Sequence, residues 1–170
     1  MRKFESYWGN HYIGDNMNDK LIIVGVNEAK ISTEENSIIG TVGLATCVGV
    51  LLYSREHKKA IVAHVASDPL SILDKTLELI DEYNLSSSPL EYKVIRGYYK
   101  SGYKTDDVLE SMYSAYPKYF IPYQGREYES VGINLESHQF AFDASSGTFV
   151  TNQVFSNNES FVEEQTKKIF

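Results

Sequence analysis

The chain has 170 residues, 42% hydrophobic and 23% charged, with a formal net charge of −7. These values fit one globular domain with a sizeable core and exclude disordered and collagen-like classes. The acidic balance, with no Lys/Arg run longer than a pair, opposes a nucleic-acid partner, because a phosphate backbone would be repelled.

Residues 1–20 are polar and aromatic, without periodicity, and read as an irregular N-terminal tail. They contain no apolar core of a secretory leader, and no later apolar run is long enough to span a bilayer, so no membrane is expected. The expected compartment is the cytoplasm, or a host cell reached by a non-Sec route. "KLIIVGVNEAKIS" reads as a strand, a bend near Asn27-Glu28 and a second short extended piece. "SIIGTVGLATC" is apolar but broken by Gly40 and Gly43, which favours a strand running into a tight loop over a helix. "CVGVLLYS" and "KAIVAHVAS", joined by the charged "REHKK", predict an antiparallel hairpin.

The period changes at Ser67. Leu70, Leu73, Leu77 and Ile80 recur at three- and four-residue spacing, with Ser67 or Asp68 as cap and Pro69 behind it, which predicts an amphipathic helix with these four residues on its apolar face. "LEYKVIRGYY" returns to strand, and "KTDDVLESMYSAY" predicts a second helix, capped by Thr105 and ended by Pro117. "KYFIPYQGREYESVGI" fits no single element. "HQFAFDA" and "TFVTNQV" then read as two strands around the turn "SSG", with Phe140 and Phe142 on one face. The expected organisation is an α+β domain over 21–155, and a C-terminal tail or short helix over 156–170. Thirteen tyrosines, many between Tyr92 and Tyr128, suit either half-buried sheet and helix positions or a protein-contact surface.

The one cysteine, Cys47, excludes an internal disulfide, and no Cys/His cluster has metal-ligand spacing, so no cofactor or metal is expected. Cys47 follows "GTVGLAT", whose glycines permit a sharp bend with backbone N–H groups turned toward an anion. The predicted hairpin brings Cys47 and His64 to the same end of adjacent strands, where a thiol and an imidazole meet. Two readings stand on these residues alone: a buried cysteine beside a satisfied core histidine, or a nucleophile beside its base. Ser37, Thr41 and Thr46 are the nearby hydroxyls, each able to orient a histidine or to do no more than fill a strand.

The run "VGVNEAKIS…TVGLATCVGVLLYSREHKKAIVAHV" resembles CheD, the bacterial family of chemoreceptor glutamine deamidases, in its Thr, its Gly-Leu-x-x-Cys-Val-x-Val loop and strand, and its Ala-His pair. "VGINLESHQFAFDASSGTF" resembles the family's closing hairpin. The resemblance implies a layered α/β/β/α sandwich and a cysteine-dependent protein-glutamine glutaminase. In that reading Cys47 is the nucleophile, His64 the base that holds the thiolate, and Thr41 the residue that orients His64. The partner it implies is a protein presenting a glutamine side chain. The chain departs from the family at "VASDP", "RGYYK" and Ser137-His138, and its "LATC" loop is similar to that of bacterial toxins that deamidate a glutamine of a host protein. The substrate is therefore a host protein or a chemoreceptor. With an amine in place of water the same thioester gives transglutamination, and a non-catalytic binding module on this fold is the further alternative.

Overall fold

The computed structural model describes residues 21–99, 105–127, 130–131 and 138–150. The expected N-terminal tail and C-terminal helix lie outside these residues. Along the chain come β1 (Leu21–Val24), β2 (Ala29–Ile31), β3 (Ile38–Leu44), β4 (Val48–Ser54), β5 (Lys59–Val65), α1 (Pro69–Glu82), β6 (Leu90–Arg96), α2 (Thr105–Ser114), β7 (Phe120–Pro122), β8 (Ser130–Val131), β9 (His138–Asp143) and β10 (Thr148–Val150). The class is α+β, built on two mixed sheets.

One sheet has the order β1-β3-β9-β10, with β8 also on β9; the other has the order β2-β5-β4-β6-β7. The β4–β5 hairpin forms as expected, in a register that sets Ser54 opposite Lys59 and Val48 opposite Val65. Both faces of these strands are buried, which explains their nearly continuous apolar sequence. On one face Val48, Val50, Leu52, Ile61, Ala63 and Val65 pack with Ile72, Ile80, Leu109 and Tyr113 of the two helices. On the other, Leu51, Tyr53, Ala60 and Val62 meet Ile39, Phe140 and Phe142 of the first sheet. Tyr53 ties the sheets together, its ring edge-on to Phe142 and its hydroxyl donating to the Ala144 carbonyl at 2.9 Å. The described residues thus form a helical layer over two facing sheets; a second helical layer has no counterpart among them.

Packing corrects one expectation. Helix α1 forms where predicted, with Asp68 as the cap, its carboxylate accepting from Ser71 N at 3.1 Å, and Pro69 in the first turn. Its buried face, however, is Ile72, Thr76 and Ile80, while Leu70 is 63% and Leu77 43% exposed. The ambiguous segment after α2 contributes two short strands: β7 runs parallel to β6, and β8 pairs antiparallel with β9. Among the described residues no helix is long and apolar enough to cross a membrane.

Candidate active site

Thr41, His64 and Cys47 come from three strand segments that meet between the two sheets. Alternation along β3 turns Ile39 and Thr41 toward the facing sheet and Ile38 and Val42 away from it. A bulge between Thr41 and Leu44 breaks that alternation, with Gly43 at φ 75° in the left-handed region. Glycine adopts this conformation without a steric penalty, and the extra residue returns Leu44 to the interior before the chain crosses to Cys47 in the other sheet.

His64 is fully buried on the inner face of β5. Its backbone is held on both sides. Gly49 lies opposite it on β4, while Asn27 N donates to its carbonyl at 2.8 Å and its own N–H donates to Glu28 O at 3.0 Å. The turn that supplies these bonds is braced in its own right. Asn27 sits at φ 58° with its side-chain oxygen accepting from Ala66 N at 3.1 Å, and the Glu28 carboxylate accepts from Gly25 N at 2.8 Å. Gly49 leaves room on the inner face: a Cβ there would lie 2.6 Å from Phe140 Cε1.

The hydrogen bonds of Thr41 fix the state of the imidazole. Its hydroxyl donates to Val24 O at 2.7 Å, so toward His64 Nδ1, 2.8 Å away, it presents lone pairs. Nδ1 must therefore carry the proton, which leaves Nε2 as the basic nitrogen of a neutral ring. Burial pushes the His64 pKa down to about 4, so the ring is uncharged at neutral pH. Nε2 is buried and without a hydrogen-bond partner among the described residues.

Cys47 is 6% exposed, on the same inner face as Gly49 and Leu51 and two residues before Gly49. The register, with Gly49 opposite His64, makes it a diagonal neighbour of His64 and not its direct partner. Burial pushes the thiol above its ordinary value, against a smaller opposing effect of a side-chain hydrogen bond with Thr46. With the thiol pushed up and the imidazole pushed down, the resting state is a neutral thiol beside a neutral imidazole. The sequence reading, with His64 holding a thiolate, placed the charge separation in the resting protein; burial opposes it there.

Of the three hydroxyls near the cysteine, Thr41 reaches His64. Thr46 is exposed and lines a cleft of about 460 Å³ with Ala66, Ser67, Pro69, Thr105 and Val108. Two further histidines are described: His57, in the hairpin loop, contacts Ser54 Oγ at 2.9 Å, and His138 Nδ1 lies 3.0 Å from Arg96 O. Among the described residues no group of three or more His, Cys, Asp or Glu side chains is arranged to hold a metal ion. Sequence reasoning placed the bend at Asn27-Glu28 but missed its role as a support of His64, and it missed Val24, whose carbonyl sets the tautomer. A scan against protein-family models gives no match, and a search of curated proteins gives none either.

Proposed function

We propose that the chain is a cysteine-dependent deamidase of protein glutamine side chains, on a CheD-like α/β/β/α sandwich. The observation that carries the proposal is the buried, unpartnered Nε2 of a histidine whose tautomer Thr41 fixes for accepting a proton. Most buried histidine nitrogens are hydrogen-bonded, since an unpaired buried polar atom costs about 1–3 kcal/mol. Here Nε2 is left free to take up a proton during the reaction.

Because thiol and imidazole are neutral at rest, proton transfer accompanies attack. Nε2 takes the thiol proton as sulfur adds to the carboxamide carbon, and the backbone N–H of Cys47 stabilises the oxyanion. Collapse expels the amide nitrogen, which leaves as ammonia with the proton from the imidazolium. Water, deprotonated by Nε2, then cleaves the thioester and leaves glutamate, so one water is consumed and one ammonia released. An amine in the place of water gives transglutamination. The substrate is a host protein or a chemoreceptor.

The test compares protein extracts treated with the wild type and with Cys47→Ser, using mass spectrometry to find glutamine-to-glutamate conversions. Conversions confined to the wild type are expected, and the same conversions with the variant would refute the proposal. The 6% exposure of Cys47 favours a second reading, a non-catalytic module with a core cysteine. In that case native Cys47 resists alkylation until the chain unfolds; in the catalytic reading alkylation proceeds in the native state and slows in His64→Ala.

A further inference from the structure

Each helix has an apolar stripe that starts at the edge of the core, where Leu73 and Met112 pack, and runs out onto the surface. On α1, Leu73 is half-buried and Leu77 43% exposed; on α2, Met112 is half-buried and Val108 43% exposed; just beyond α2, Tyr116 is 59% exposed. These stripes line one groove. A cavity of about 430 Å³ is walled by Leu73, Leu77, Met112, Tyr116 and Tyr119, and one of about 440 Å³ by Val108 and Met112. The third is the cleft of about 460 Å³ where Val108 and Pro69 meet Thr46. Neighbouring cavities share Met112 and then Val108, so the groove runs from the far ends of the helices to the residue before Cys47.

Its rim is acidic. The two helices carry Asp74, Glu78, Asp81, Glu82, Asp106, Asp107 and Glu110 against one basic residue, Lys75, whose Nζ is bonded to Asn27 O at 2.8 Å. Arg96 of β6 pairs with Asp106 at 2.8 Å and with Asp107 at 3.4 Å. Asp81 and Asp107 line the groove itself. An apolar trough edged by carboxylates is complementary to apolar side chains flanked by cations. A 14-residue helix such as α1 is about 21 Å long, enough to seat several turns of a partner helix.

We infer that the groove between α1 and α2 is a docking site for the protein substrate, taking an amphipathic segment whose apolar side chains are flanked by Lys or Arg. Docking there leads the segment to Thr46 and presents its glutamine to Cys47. The delivery step rests on the deamidase reading; the docking does not.

The probe is a helix-forming peptide of Leu and Lys at amphipathic spacing with one central Gln, titrated by fluorescence anisotropy against Cys47→Ala protein, which cannot turn it over. Controls are a scrambled peptide of the same composition and one with Glu for Lys. The groove variant adds Leu77→Asp and Tyr116→Asp, both at exposed positions, with circular dichroism to check the fold. The new carboxylates increase the attraction for lysine, so a loss of binding isolates the apolar trough. At least tenfold weaker binding is expected for the variant and for each control peptide. Equal binding by the variant or by the scrambled peptide, or no binding by any of them, overturns the docking site. So does self-association in sedimentation equilibrium that the same two substitutions abolish, which assigns the groove to a second copy of the chain. Glutamine-to-glutamate conversion in protein extracts, compared between wild type and Cys47→Ala, tests the deamidase reading separately. Its absence in the wild type would overturn that reading, while the titration still decides the groove.

Discussion

Lowering the pH should destabilise this protein by an amount that His64 sets. The folded-state pKa is about 4, below the ordinary 6.5 of the unfolded chain. Between these values the unfolded chain binds a proton that the native protein does not, so stability falls as pH falls. The contribution is complete above pH 6.5 and lost as pH drops through 4. Each tenfold difference in proton affinity between the two states is worth about 1.4 kcal/mol, so acidification from neutral pH to pH 4 removes about 3 kcal/mol, a large part of the roughly 5–15 kcal/mol that holds a domain folded. The assay is urea unfolding at steps from pH 7.5 to 4, wild type beside His64→Gln. The comparison is needed because Glu91 also titrates at acid pH. Burial raises its pKa, but hydrogen bonds from Arg55 and Gln124 N with the Arg55 charge outweigh burial, and its net shift is downward. Both proteins lose the Glu91 contribution, and the difference between the two curves isolates the histidine. Stability curves that run parallel from pH 6.5 to 4.5 would falsify the neutral, buried His64 on which the tautomer argument depends.

Two further substitutions test the supports of the same ring. Thr41→Val removes the acceptor of the Nδ1 proton and is expected to cost about 1–3 kcal/mol in urea unfolding. Nitrogen chemical shifts of the imidazole should change from a pure Nδ1–H form to a mixture of tautomers, and Thr41→Ser should restore both readouts. Gly49→Ala places a Cβ 2.6 Å from Phe140 Cε1, and overpacking of this kind costs about 1–3 kcal/mol. Thermal melts should show the loss, with Phe140→Leu in the same chain recovering part of it; an unchanged melting temperature for Gly49→Ala would refute the packing described opposite His64.

Much of the site was legible because its signals are local. Alternation and turn chemistry located β3, the β4–β5 hairpin and β9, and a capping residue before Pro69 located the start of α1. The family resemblance singled out Thr41, Cys47 and His64, and the hairpin put the latter two at one end. The face of α1 was not legible in the same way. Leu70, Leu73, Leu77 and Ile80 share one stripe by spacing, but the buried residues are Ile72, Thr76 and Ile80, and periodicity says which residues share a face without saying which face finds a sheet. Packing against β2 and β5 buried Ile72, Thr76 and Ile80 and left Leu70 and Leu77 exposed.

The sequence by itself located most of the elements, though not β7 or β8, and the residue types at the candidate site, since helix, strand and turn preferences act over a few neighbours. Only the tertiary structure decided the chemical state of that site. The Nδ1 proton of His64 depends on Thr41 Oγ1 from the facing sheet and, through it, on the Val24 carbonyl of the neighbouring strand. The neutrality of both ring and thiol depends on burial between two sheets. Such couplings join residues far apart in the chain, and distance, orientation and dielectric exist only once the sheets have closed on one another.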